Sequence, residues 1–173
     1  PGIFIMDCET FEINGIYELD RGEQDKHYDF WWNIPQDYMV SSEWGLPPQF
    51  ENGVVPEDLV GGKYGHKIHF WDLRARKNIQ TIDLGENYQM ALEIRPAHDP
   101  TKSYGFCGVV ADNTNLQGAV FTWWRDEDGK WQAKKTITID PRPEDPEDLP
   151  ELIKGFGAVP VLVTDIDLSL DDK

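Results

Sequence analysis

Short runs of β-branched and aromatic residues alternate along the chain with turns rich in Gly, Pro, Asn and Asp, and sustained helical periodicity is almost absent. The pattern predicts an all-β protein with helical turns only at 56–60 and near 149–154. The predicted strands cover residues 2–6, 12–18, 28–33, 38–42, 67–72, 79–84, 90–95, 106–111, 119–124, 131–140 and 162–169.

These strands recur as a set. A hairpin made of an apolar strand ending near Asp, a polar turn and a second apolar strand occurs at 4–19 and at 69–84, with a looser copy at 120–139. Other strand pairs lie between the hairpins. A four-stranded unit repeating at intervals of roughly 50 to 70 residues predicts a β-propeller, with one blade per unit. A β-sandwich of unrelated hairpins uses the same local signals and is the alternative.

The repeat divides the chain into parts of about three blades of a propeller. It predicts the second half of a blade at 1–24, whole blades at 25–86 and 87–148, and the start of another at 149–173. Such a set cannot close into a ring, and the chain starts without Met inside an apolar run. We therefore expect an internal piece of a considerably longer propeller.

Charge narrows the range of partners. The 173 residues carry 32 acidic and 16 basic side chains, a net charge of −16. Such a surface repels phosphate backbones and anionic lipid, so we expect no nucleic acid as a partner. We also expect no membrane insertion, because no apolar run reaches the roughly 20 residues that span a bilayer. The sequence is typical of a soluble protein, and leaves open a cytoplasmic or periplasmic location and a homo-oligomeric state.

The first strand of each propeller blade lines the central channel. Aligning these strands by their following turns places Asp29, Glu93 and Asp165 at one equivalent position, each before an apolar residue. Three carboxylates would then ring one end of the channel, where a dry environment would make some hold a proton or recruit a cation. The alternative is that each acid caps a neighbouring turn or pairs with an arginine such as Arg95.

The histidines do not predict a metal site. His66 and His69 are separated by an odd number of positions on a strand, which directs their side chains to opposite faces. His27 and His98 lie beside turns, and we expect both to be solvated.

One loop is a candidate for substrate binding. Trp44 ends a predicted strand and opens a long loop that extends to residue 65. Loops of this length over a scaffold are usually functional or disordered. We take Trp44, its neighbour Glu43 and the inner-strand Arg95 as candidate substrate contacts.

Several stretches resemble the selenium-binding protein family, in order along essentially the whole chain. They are YDFWW at 28–32, MVSSEWG at 39–45, GKYGH at 62–66, FWDL at 70–73, LEIR at 92–95, KGFGAVP at 154–160 and LVTDIDLSLDD at 162–172.

The resemblance implies a seven-bladed propeller that binds copper and oxidises methanethiol, a small volatile thiol, with O2 and water to formaldehyde, hydrogen sulfide and hydrogen peroxide. The family's copper histidines lie in motifs that this sequence does not contain, so we expect the copper ligands outside this segment and the segment alone to be inactive. Asp29, Glu93 and Asp165 would form the remaining wall of the copper chamber, as proton-relay groups or groups that surround the ligands.

Two other functions remain open. The first is a non-catalytic propeller that serves as an interaction scaffold, because a shared fold does not guarantee shared chemistry. The second is binding of selenium or another soft ligand through Cys8 or Cys107. Both cysteines are isolated on predicted strands, and we expect buried free thiols of low reactivity.

Overall fold

The structure is a computed structural model that describes residues 2–172. It contains one short α-helix, α1 (Pro56–Val60), and 3₁₀ turns at Pro47–Gln49, Pro146–Asp148 and Glu151–Phe156. Its strands are β1 (Phe4–Met6), β2 (Ile13–Ile16), β3 (Phe30–Asn33), β4 (Tyr38–Ser42), β5 (Lys67–Asp72), β6 (Lys77–Asp83), β7 (Tyr88–Pro96), β8 (Tyr104–Asp112), β9 (Gly118–Arg125), β10 (Trp131–Ile139), β11 (Arg142–Pro143) and β12 (Ala158–Val159).

Two four-stranded antiparallel sheets dominate the molecule. Strands β3 to β6 form the first sheet and β7 to β10 the second, each in chain order, while β1 pairs with β2 and β11 with β12. Strands β3 and β7 are therefore equivalent edge strands of neighbouring sheets. Consecutive up-and-down sheets of this kind are the blades of a β-propeller, which confirms the predicted fold class.

The main core lies between the two sheets. Period-two alternation along β4 and β5 sends Tyr38 and Phe70 toward the second sheet, which contributes Trp123 and Trp131. The rings of Phe70 and Trp131 stack with centroids 4.2 Å apart, and Trp123 is completely buried. Aromatic residues on β5, β9 and β10 thus hold the two blades together.

The prediction of a strand at 162–169 is wrong. A strand needs a backbone partner, and no described strand pairs with this segment. The segment instead packs by its side chains on the face of the second sheet. A Cβ built on Gly118 would lie 2.6 Å from Val163 Cγ2, and one built on Gly108 would lie 3.4 Å from Ile166 Cδ1.

Cys8 also differs from its predicted state, whereas Cys107 agrees with it. Cys8 is exposed, because it lies in the turn after β1, on a hairpin whose strands are both exposed. Cys107 is fully buried on β8, in the core between the sheets.

The predicted helical turn near 149–154 forms as the 3₁₀ turn Glu151–Phe156, and the short pair β11 and β12 was not predicted. Within residues 2–172, no helix is both long and apolar enough to cross a bilayer.

Candidate functional site

The structure brings the three aligned carboxylates together at the inner edges of the sheets. Asp29 immediately precedes β3, Glu93 lies on β7, and Asp165 lies on the extended segment that follows β12. The negative charges of Asp29 and Asp165 both raise the pKa of Glu93, so the three groups lie within electrostatic reach of one another. We refer to Asp29, Glu93, Asp165 and Arg95 as the inner-edge cluster.

Asp29 connects the two blades at this edge. Its Oδ1 accepts a hydrogen bond from the Phe30 amide at 2.8 Å, and its Oδ2 accepts one from the Ile94 amide at 3.0 Å. Burial raises the pKa of Asp29, while these two backbone donors act in the opposite direction. Its carboxylate therefore has a structural partner on each strand and a protonation equilibrium shifted toward the neutral form.

Arg95 lies between the other two acids. Its guanidinium is in contact with Glu93, and its Nη2 lies 3.6 Å from Asp165 Oδ1. The guanidinium carbon also lies 5.3 Å from the ring centroid of Trp31 on β3. Arg95 thus bridges the acids and holds β7 against the neighbouring inner strand.

Glu93 has charged neighbours of both signs. Burial raises its pKa first, and the charges of Asp29, Asp165 and Asp167 raise it further, against the lowering effect of Arg95. Glu93 consequently keeps a proton at higher pH than an ordinary glutamate. A carboxyl of this kind can act as a proton acceptor and donor in a channel.

Glu43 does not join the inner-edge cluster. It is buried, and its Oε1 lies 2.9 Å from Nε2 of the fully buried His69. The other ring nitrogen of His69 lies 2.9 Å from Thr81 Oγ1, so both polar sides of the imidazole are occupied. This geometry gives Glu43 a partner inside the first sheet rather than in the inner-edge cluster.

The described histidines and cysteines do not fit a copper centre. His66 pairs with Asp83 at 3.6 Å, apart from the His69 site, and burial raises the pKa of the Cys107 thiol. Within residues 2–172 no three His, Cys, Asp or Glu side chains are arranged to hold a metal ion.

Two further histidines differ from each other in burial. His98 is half-exposed, and its Nδ1 lies 2.8 Å from Asp172 Oδ1. His27 was predicted to be solvated, but its Nε2 is buried and has no hydrogen-bond partner among the described residues. Desolvation lowers the pKa of His27 to about 4, so its imidazole is neutral at physiological pH.

Trp44 lines an apolar pocket of about 590 Å³ beside the second sheet. The indole stacks on Phe50, with centroids 4.5 Å apart. Met90 and Leu162, which the sequence reasoning did not single out, line the same pocket. Both have left-handed backbone conformations, with φ of 61° and 53°. The pattern of apolar residues does not predict these conformations.

Consecutive four-stranded antiparallel sheets define this protein as a β-propeller, and the inner-edge cluster is its candidate site. The chain belongs to the 56kDa selenium binding protein family (SBP56), whose model matches residues 1–173. This finding agrees with the resemblance seen in the sequence.

Comparison with related proteins supports membership of the same family. Methanethiol oxidase of Xenopus tropicalis is 38% identical over 172 residues, covering 99% of this chain and 34% of the relative. Methanethiol oxidase of Danio rerio is also 38% identical, with 99% and 35% covered. The X-ray structure of a hypothetical selenium-binding protein from Sulfolobus tokodaii matches with a TM-score of 0.92 and 50% identity, covering 99% of this chain and 37% of that one. The chain thus spans about a third of the length of these curated relatives.

Proposed function

We propose that this chain is part of a methanethiol oxidase and that its inner-edge cluster forms one wall of the thiol-oxidising centre. The reaction converts methanethiol, O2 and water to formaldehyde, hydrogen sulfide and hydrogen peroxide, which balances in atoms. Support comes from the named relatives and from one observation in this chain, the acids Asp29, Glu93 and Asp165 gathered around Arg95.

Glu93 would transfer protons in this reaction. Methanethiol and water lose protons in this reaction, while the products hydrogen sulfide and hydrogen peroxide gain them. The centre therefore needs a group that accepts a proton and returns it. The raised pKa of Glu93 brings its protonation equilibrium closer to neutral pH, which is where a general base or acid works best. Burial is the main cause of this raised pKa, and Asp29, fixed by two backbone donors, would add to it whenever its carboxylate is charged.

Copper is the cofactor that the family resemblance implies. Within residues 2–172 no three His, Cys, Asp or Glu side chains form a group that could hold it, and the proposal assigns no step to it. Metal analysis of the complete gene product is the direct test of that cofactor. Stoichiometric copper together with methanethiol-dependent peroxide release would support the oxidase, whereas the absence of both would favour the interaction scaffold.

Replacement of Glu93 by Gln tests the proton transfer. In the complete gene product we expect E93Q to lower kcat/KM for methanethiol by about 10² or more, because a proton-transfer group contributes factors of this size. Peroxide release at a series of pH values measures the effect, and the variant should also lose one limb of the pH profile. The matched control is E127Q, at an exposed hairpin turn between β9 and β10, which should leave the rate unchanged.

The outcomes separate the role of the residue from the function. An E93Q enzyme with full activity and an unchanged pH profile would remove Glu93 from the mechanism while leaving the oxidase proposal intact. Unmodified protein that consumes no methanethiol would contradict the oxidase itself.

A further inference from the structure

The apolar pocket beside the second sheet is built from three separate segments. The loop after β4, the start of β7 with its neighbour β8, and the segment 150–164 each supply part of the wall. Glu57 and Glu151 are the charged members of its lining. The apolar side chains that carry the argument are Trp44, Leu59, Met90, Leu92, Val110 and Leu162.

The loop that forms one wall is held in place by Tyr64, which is 1% exposed. The Tyr64 hydroxyl donates to the Gln49 carbonyl at 2.7 Å and accepts from the Val55 amide at 2.8 Å. The Tyr64 amide in turn donates to Gln89 Oε1 on β7 at 2.9 Å. Hydrogen bonds therefore fix the loop against the second sheet, and the pocket is preformed in the way that small-molecule sites usually are.

A repeated backbone feature connects this pocket to the inner-edge cluster. Met90 and Leu162 have left-handed φ values, and each lies three positions before an acid of the cluster, Glu93 or Asp165. A bulge follows Met90, where the pairing of β7 with β8 shifts register between Ala91 and Ile94. Strained residues and bulges are concentrated at ligand sites, where they redirect side chains. Here both left-handed residues, Met90 and Leu162, place an apolar side chain in the pocket three positions before an acid.

We propose that this pocket binds the hydrocarbon portion of thiols or thioethers larger than methanethiol. The inference rests on the proposed function and specifies its substrate class. A volume of about 590 Å³ lies in the range of pockets that enclose drug-sized ligands, so a one-carbon thiol leaves most of it unfilled. Leu92 and Thr164, which line the pocket, directly precede Glu93 and Asp165 in the chain. The wall of the pocket is therefore continuous along the chain with the two positions that carry these acids.

Binding can be tested without any oxidation. Hexyl methyl sulfide has no S–H group, and its Kd for the complete gene product can be measured by isothermal titration calorimetry. The variants L152E and V54D each put a carboxylate into the lining, and both residues are partly exposed, at 38% and 43%, so the fold tolerates the change. The control L170E carries the same charge at a residue that is 95% exposed and outside the pocket lining.

We expect each lining variant to raise the Kd by about tenfold or more, and L170E to leave it unchanged. In the same protein, kcat/KM for straight-chain thiols should rise by about fourfold for each added methylene until the pocket is filled. Failure of the sulfide to bind, or equal binding by all variants, overturns the pocket assignment even if methanethiol is oxidised. Selective binding by a protein that oxidises no thiol upholds the pocket and overturns the proposed function instead.

Discussion

At the scale of single residues, burial decides the protonation state of the side chains that matter most. Nothing in the sequence distinguishes Glu93 and His27 from other glutamates and histidines. Their pKa values differ from those of exposed side chains only because of their surroundings in the fold. Partial burial among acids favours the protonated carboxyl of Glu93, while desolvation favours the neutral imidazole of His27. The two shifts have opposite directions because burial always disfavours the charged form.

The lowered pKa of His27 predicts that the protein loses stability on acidification. The folded protein binds a proton only near pH 4, whereas the unfolded chain binds one near the usual value of 6.5, so protons favour unfolding between these limits. We expect the free energy of unfolding to fall by up to about 3 kcal/mol across this range through His27 alone.

Urea denaturation of the complete gene product at a series of pH values measures this loss. The variant H27Q should remove that part of the pH dependence, and the control H98Q should retain it. A slope that stays the same in H27Q would show that His27 is solvated in the complete protein.

The residue scale also shows what the sequence could and could not predict. Alignment of the repeats singled out Asp29, Glu93 and Asp165, and the structure places these three acids within electrostatic reach of one another. The exposure of Cys8 was missed, since an apolar strand does not reveal whether a second layer covers it. The part played by Met90 was missed because it depends on a left-handed backbone conformation that is rare outside glycine.

At the scale of elements, close backbone contacts set the path of the long loop after β4. The Gly65 amide donates to the Trp44 carbonyl at 2.6 Å, next to the buried pair of Glu43 and His69. A Cβ on Gly65 would collide with Glu43 Cβ and lie 2.7 Å from the Glu43 carbonyl carbon. The absence of a side chain at Gly65 therefore allows the end of the loop to return to β4.

Replacement of Gly65 by Ala should destabilise the protein by about 1–3 kcal/mol, because overpacking against backbone forces the loop to shift. The control G155A adds the same methyl group at a glycine with no atom within 4 Å of the new Cβ. Chemical denaturation of both variants compares the two sites, and equal stability would contradict the close approach described for Gly65.

Elements were predictable where the pairing partner lies in the same stretch of chain. The strands of the two four-stranded sheets were found from alternation and turn residues, since each pairs with its neighbour in sequence. The segment 162–169 has the residue types of a strand but no described strand beside it, so composition alone gave the wrong answer there.

At the scale of the whole molecule, the contact between blades depends on a small group of rings. Trp131 is 2% exposed and touches Tyr38, Phe70 and Trp123, with centroid distances of 4.7, 4.2 and 5.8 Å. Two of these rings belong to the first sheet and one to the second. Trp131, on the edge strand β10 of the second sheet, therefore packs that strand against the face of the first sheet.

Truncation of Trp131 to Ala should cost about 3–5 kcal/mol of unfolding free energy, the usual loss for a buried aromatic residue. The control I79A removes an apolar side chain that is 55% exposed on β6 and should change stability by about 0.5 kcal/mol or less. Thermal and urea unfolding of the complete gene product measure both, and similar effects of the two variants would contradict the central position of Trp131.

The left-handed conformations of Met90 and Leu162 bear on how the site evolved. Each lies three positions before an acid, Glu93 or Asp165, so one stretch of gene encodes a piece of pocket wall and a member of the inner-edge cluster together. Duplication of such a unit multiplies both features at once and keeps them in register. Binding and chemistry would in that case have been copied as a single module, and later substitutions could specialise one copy without disturbing the spacing in the others.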